Sequence, residues 1–296
     1  MSEPSRPNLP LYVNDETSPL EAVVLGSALD MGKPLDINPV SKFHIQNGTY
    51  PLEEDLKQEI TTFADVLKDQ GIQVYRPETL KGVDQIFTRD IGFVIEDKFI
   101  IANMLERVRQ RELPGIQHVL SQMDSGAFLK PPPAARVEGG DVILWGEHIF
   151  VGISYRTNMG GYEFLKTAFP HKHVHAIPLV VSDDPAKHVL HLDCTFQPVG
   201  KDQAIIYHDG FKEKPEALYD LFPKDKLIEV NEEEKVRMFP NVFSIGPDKV
   251  VVEKTFTRLK EVLEERGFQI FDVEYTETSK LSGLLRCSIL PLRRSQ

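Results

Sequence analysis

Five short stretches of this chain carry side chains suited to chemistry: "FTRD" (87–90), "VEGGD" (137–141), "LHLDC" (190–194), "FPN" (239–241) and "GLLRC" (283–287). They supply four acids (Asp90, Glu138, Asp141, Asp193), one imidazole (His191), one amide (Asn241) and one thiol (Cys287). A thiol attacks best as thiolate, and a nearby imidazole or bound cation favours that form. Carboxylates would hold a cation and raise the pKa of the imidazole. Brought together, these groups make an acidic pocket with a nucleophile and a base. Singly, each has a plainer reading. A lone Cys is a small core hydrophobe, Asp90 a turn residue, Glu138 and Asp141 caps of the "GG" turn, and His191 a satisfied core histidine. Cys194, beside Asp193, is expected to point to the opposite strand face and to be structural.

Shared position argues against coincidence. Strand–turn–strand patterns run through 91–103, 141–154, 196–208 and 241–253, each with an acidic or Gly-containing turn between β-rich runs. Four of the chemical stretches stand at the start of these hairpins. After each hairpin comes a more helical stretch and then a lone strand; "YEFLKTAF" precedes "VHAIPL", and "EKTFTRLKEVLEERG" precedes "FQIFDVEY". In the latter helix Phe256, Leu259, Val262 and Leu263 share a face, with Gly267 as a C-cap. A fifth unit is incomplete. It has "EAVVLGSA" (21–28), a helix at "EEDLKQEITTFADVLKDQG" and the strand "IQVYRP", and "SILPL" (288–292) is its expected hairpin partner. That pairing predicts a pseudo-symmetric α/β ring of five ββαβ modules with no exposed edge, whose equivalent turns converge on its axis. An ordinary α+β domain with chance resemblances among its hairpins is the alternative.

A second constellation is "HKHVH", with His171, His173 and His175 alternating onto one strand face. No Cys or acid lies adjacent, so a solvated strand start is favoured over a zinc site. The net charge of −11, from 45 acidic and 34 basic residues, argues against nucleic acid or an anionic membrane and suits a small cationic partner. No apolar leader or apolar run of membrane-spanning length occurs, and two cysteines make no disulfide framework, so a reducing cytoplasm is expected. Residues 1–18, rich in Pro, Ser and Asn, read as a loose N-terminal arm, and 19–296 as one catalytic domain. A homo-oligomer is compatible with the chain but not readable from it.

"FTRD", "EGGD", "HLD" and a Cys near the C-terminus, in that order, resemble the guanidino-group-modifying superfamily of arginine deiminase, dimethylarginine dimethylaminohydrolase and glycine amidinotransferase. The resemblance implies a five-bladed α/β propeller (the pentein fold). It implies Cys287 as nucleophile, His191 as general acid/base, Asp90 and Asp193 as the pair holding the guanidinium, and Glu138 beside them. It also implies Arg109 and Arg156 as grips on a substrate α-carboxylate, hence an arginine-like substrate. The implied reaction is hydrolysis of a guanidinium through a covalent amidino-cysteine, with no metal or organic cofactor. Transfer of the amidino group to an amine is the alternative, and a non-catalytic binding propeller the least favoured reading. Signatures are mixed: "SGLLRCSIL" is similar to dimethylarginine dimethylaminohydrolase, while "HLD" is similar to the deiminases and amidinotransferases. The loops around 30–50 and 155–162 are the candidate lids.

Overall fold

The β-rich runs condense into strands that are numbered here in chain order, in a computed structural model that describes residues 9–295. They are β1 (Leu20–Leu25), β2 (Gln73–Tyr75), β3 (Gly92–Ile95), β4 (Lys98–Ile101), β5 (Phe128–Leu129), β6 (Val142–Trp145), β7 (His148–Ile153) and β8 (His173–Pro178). The remainder are β9 (Phe196–Val199), β10 (Gln203–Ile206), β11 (Leu227–Glu229), β12 (Phe243–Gly246), β13 (Lys249–Glu253), β14 (Gln269–Val273) and β15 (Ile289–Arg294). They form five separate three-stranded sheets with one recurring plan. The middle strand pairs antiparallel with its hairpin partner and parallel with the strand that follows, as in β3-β4-β5 and β6-β7-β8. A parallel neighbour needs a long crossover, and this is why a helical or irregular stretch precedes β2, β5, β8, β11 and β14.

The fifth sheet has the order β15-β1-β2. Val24 faces Leu290 and Leu25 faces Ile289 across an antiparallel ladder, as the reading of "SILPL" requires. Pro291 is tolerated there because β15 is an edge strand. Isolated bridges from Ser27 to Gln85, Asn103 to Val137 and Leu179 to Phe211 stitch neighbouring units. Helix α1 spans Pro39–Gln46 and α2 spans Glu53–Asp69. In α2, Leu56, Ile60, Phe63, Ala64 and Leu67 are buried on one stripe, and Glu53, Glu54 and Asp55 fill the first turn, where acids favour the helix dipole. Phe63 packs edge-on against Phe243 and Tyr275, joining α2 to the sheet of β12.

One expectation needs correction. Residues 1–8 of the supposed loose arm lie outside the described residues, but 9–18 are built into the domain. Leu9, Leu11 and Val13 are buried, and the Val13 and Glu96 backbones bond reciprocally. Glu16, 3% exposed, accepts hydrogen bonds from Arg286 Nη2 (2.9 Å) and Nε (3.2 Å). Alternating apolar side chains in "LPLYV" drive this docking, and the Pro and Asn content masked it. Among the described residues, no helix is long and apolar enough to cross a membrane.

Burial pushes the Glu16 carboxyl up, but Arg286, Arg89 and Arg294 outweigh it and bring it down to about 2. Its folded pKa lies below its ordinary 4.5, so its contribution to stability is present above that pH and is lost as pH falls through about 2. Glu16→Gln strands a buried Arg286 and should cost about 3–5 kcal/mol, measured by urea unfolding at neutral pH. A loose arm would show no change.

Candidate active site

Each of the five chemical stretches folds as a tight turn or a single helical turn feeding the first strand of a sheet. "FTRD" becomes the one-turn helix α3 (Thr88–Ile91), followed directly by β3. Gly139–Asp141 and Leu192–Cys194 are 3-10 turns leading into β6 and β9. A turn at this point aims side chains off the strand end instead of onto a sheet face. "EGGD" shows why small residues are needed: a Cβ on Gly140 would lie 2.6 Å from His191 Nδ1 and 2.8 Å from Asp90 Oδ1. The turns also fasten to one another. Thr88 Oγ1 donates to Ser288 O (2.9 Å), and the Arg89 N–H donates to Cys287 O (3.0 Å).

The predicted residues gather into two connected groups. In the first, His191 is fully buried, with Nε2 3.0 Å from Glu138 Oε2 and Nδ1 3.6 Å from Asp90 Oδ1. Burial alone would lower the imidazole pKa, but Asp90, Asp141 and Glu138 outweigh it and raise it to about 9. Glu138 is drawn down to about 2, against the upward push of burial, by His191 and Arg156. At neutral pH the pair is therefore imidazolium and carboxylate. Asp141 sits behind His191, accepting from Ser154 Oγ (2.7 Å) and from the Leu192 N–H (3.0 Å), and so holds the histidine's turn.

In the second group, Asn241 fixes the thiol. Its Nδ2 donates to Cys287 Sγ (3.2 Å) and to Asp193 O (3.2 Å), while its Oδ1 accepts from the Cys287 N–H (3.2 Å). Cys287 Sγ also lies 3.6 Å from Asp193 Oδ2, which accepts from Arg286 Nη1 at 2.9 Å. Burial pushes the Cys287 thiol well above its ordinary range, and Asp193 and Cys194 push it further. The thiol is therefore neutral unless a cation arrives beside it. Cys194 is buried in the core, with its Sγ 3.6 Å from Asp193 Oδ1.

Asp90, Arg109, Arg156, His191 and Cys287 line one cavity of about 20 Å³, room for about one water. Leu35, Ile37, Asn38, Ser41 and Tyr50 from one stretch of chain and Leu281 and Ser282 from another also line it. Asn38 Nδ2 joins the two stretches by donating to Leu281 O (3.3 Å). The 30–50 loop and Arg156, from the 155–162 segment, thus both border the cavity. Glu138, Asp141, Asp193 and Asn241 stand one layer behind it.

Two expected substrate contacts are otherwise engaged. Arg109 donates to Asp90 Oδ2 (2.7 Å), to both oxygens of Glu112 (2.8 and 3.0 Å) and to Phe87 O (2.9 Å), so its fork is filled and it orients Asp90. Asp193 is held by Arg286 rather than facing the cavity. Arg156 differs. It is 1% exposed, donates through Nη2 to Ile37 O (2.8 Å), and keeps Nε and Nη1 without hydrogen-bond partners.

Sequence reasoning missed Arg286, Glu112 and Asp84. Arg286 adjoins Cys287 in "LLRC", and Glu112 stands three residues after Arg109, a helical ion-pair spacing. Asp84 faces the cavity, and burial raises its carboxyl pKa while Arg109 lowers it. The "HKHVH" histidines lie elsewhere. His171 meets Glu96, while His175 Nε2 is 3.0 Å from His148 Nδ1. Among the described residues only Asp90, Glu138 and His191 place three ligand-type atoms within 4.8 Å of one another. Arg109, Arg156 and the imidazolium already neutralise these acids, which weakens them as a cation site.

His191 should titrate near pH 9 by NMR of the labelled imidazole, and Glu138→Gln should lower that value. Because the folded pKa exceeds the ordinary 6.5, this group's stabilisation is complete below 6.5 and is lost as pH rises through about 9.

With the geometry established, the chain matches the eukaryotic N,N-dimethylarginine dimethylhydrolase family over residues 41–294. It is 31% identical to the uncharacterized protein YkgA of Bacillus subtilis over 78% of each chain. Its fold is that of the N-terminal domain of ArgZ, solved covalently bound to a reaction intermediate (TM-score 0.81, 20% identity, 92% of this chain and 98% of that one). It is likewise that of the inosamine-phosphate amidinotransferase StrB1 of Streptomyces griseus (TM-score 0.78, 19% identity, 97% of each chain).

Proposed function

Because the chain belongs to the N,N-dimethylarginine dimethylhydrolase family, within the superfamily that modifies guanidino groups, we propose that it is a cysteine-dependent hydrolase of arginine or a substituted arginine. The observation that carries this reading is the meeting of Cys287, His191 and Asp90, from three separate turns, on one cavity. In this reading the five sheets are blades of a propeller around that cavity, residues 19–296 act as one catalytic domain, and the free thiols suit a reducing cytoplasm.

The substrate's guanidinium settles against Asp90, and its positive charge favours loss of the Cys287 proton to water. Sulfur then bonds to the guanidinium carbon, giving a tetrahedral adduct. The His191 imidazolium, held by Glu138, gives its proton to the departing nitrogen, and the carbon–nitrogen bond breaks with release of ammonia or an amine. A cationic amidino-thioether remains on Cys287. Neutral His191 next takes a proton from the attacking water. The carbon–sulfur bond breaks, the hydroxyl proton of the adduct passes to the departing sulfur, and a neutral ureido product leaves with the Cys287 thiol regenerated. Arg156, whose Nε and Nη1 make no hydrogen bond although Nη1 lies 3.6 Å from Glu138, suits the substrate carboxylate, and Asp84 suits an ammonium. Arg109 acts through Asp90 as a positioning residue.

Transfer to an amine is the second reading. It is favoured by the small size of the cavity, with room for about one water, and by the shared fold with an amidinotransferase. Arginine and Nω-methylarginine are supplied with and without glycine, and citrulline, ornithine and ammonia are assayed. Citrulline without glycine is the expected outcome, whereas ornithine only with glycine would replace hydrolase by transferase. Cys287→Ser should lower turnover by at least about a thousandfold; retained turnover would remove the nucleophile.

kcat should fall as pH rises through about 9, where His191 loses its proton. Glu138→Gln should move that fall to lower pH, read from pH–rate profiles of the two proteins.

A further inference from the structure

Beside the cavity lies a depression of about 840 Å³, and Ile37, Asn38, Arg156 and Leu190 line both. Its rim carries apolar side chains that the fold leaves in solvent: Phe43 at 48%, Tyr155 at 56% and Val181 at 43% exposure. In its wall stands His188, 7% exposed.

The His188 ring is set up in one state. Nδ1 lies 2.8 Å from Ser182 O, and a carbonyl only accepts, so Nδ1 carries the hydrogen and donates it. Lys235 anchors the loop by donating through Nζ to His188 O (2.5 Å) and Ala186 O (3.0 Å). Burial lowers the imidazole pKa to about 4, helped by Lys235, Arg156 and His191 against the opposing hydrogen bond to Ser182, so the ring stays neutral. Its Nε2 is then a lone-pair acceptor, buried and without a partner. Arg156, which lines both spaces, keeps Nε without a partner, while its Nη1 lies 3.6 Å from Glu138 Oε2. Buried polar atoms are seldom left in this state. Here an acceptor of His188 and a donor of Arg156 belong to residues that line one depression, and Arg156 also lines the adjoining cavity.

We propose that this depression binds an acyl group on the α-nitrogen of the guanidino substrate, an arginine bearing an apolar or aromatic amide at its backbone end. The proposal rests on the guanidinium occupying the cavity, as in the function proposed above. The substrate's carboxylate accepts from Arg156, the amide N–H donates to His188 Nε2, and the acyl group covers Phe43, Tyr155 and Val181.

The test uses the Cys287→Ser protein, which binds without turnover, with Nα-benzoylarginine and arginine compared by calorimetry. Benzoylarginine is expected to bind at least about tenfold more tightly, and His188→Leu to remove that advantage. Phe43→Ser with Tyr155→Ser alters only solvent-exposed positions and should shrink the same ratio without a folding penalty. Equal affinity for the two ligands, or an advantage untouched by both variants, overturns the proposal. If the wild-type protein converts arginine while the Cys287→Ser protein shows no preference for benzoylarginine, the acyl site fails and the hydrolase reading stands. Binding of neither ligand overturns both.

Discussion

The interaction on which the site depends is the buried chain Glu16–Arg286–Asp193. Arg286 is fully buried, bonded to Glu16 on one side, to Asp193 on the other and to Val142 O. Taking a guanidinium out of water is expensive unless its donors are met, so these residues must assemble together. They come from the N-terminal segment, the turn before β15, the turn before β9 and the start of β6. Satisfying one cation therefore locks four distant stretches and leaves Cys287, next in sequence, with little freedom. Asn241 completes the constraint from a fifth stretch.

Electrostatics in the cavity follow a second balance. Asp90, Glu138 and Glu112 are answered by Arg109, Arg156 and the His191 imidazolium. Asp84 also lines the cavity, where burial raises its carboxyl pKa, and the thiol beside it is kept neutral by burial and Asp193. A guest of positive charge would favour the ionised form of both. Arg109 already shows how these acids receive a guanidinium, since its own is gripped by Asp90 and Glu112.

The hairpin repeat was legible because strand alternation and turn residues are local signals, and they led to five sheets of one plan and to the β1–β15 pairing. The lead-in turns were legible because polar residues are out of place before a buried strand. Layering was not legible. Whether Asp193 faces a cavity or an arginine depends on Arg286, a single residue with no periodic signal of its own. Arg109 carried a family expectation, yet its role depends on Glu112, three residues along in an irregular segment. The docking of residues 9–18 was hidden by a Pro- and Asn-rich composition that reads as disorder when side-chain alternation is ignored.

The β1–β15 ladder also has a consequence for biosynthesis. Leu25 meets Ile289 across about 260 residues of intervening chain, so at typical translation speeds β1 waits roughly 13–50 s for its partner. During that interval its outer edge, where Val23, Val24 and Leu25 will become fully buried, is open on the nascent chain. The thiol is delivered with the closing strand. The turns that carry Asp90, Glu138 and His191 are thus synthesised well before Cys287, which arrives together with the strand that completes the β15-β1-β2 sheet.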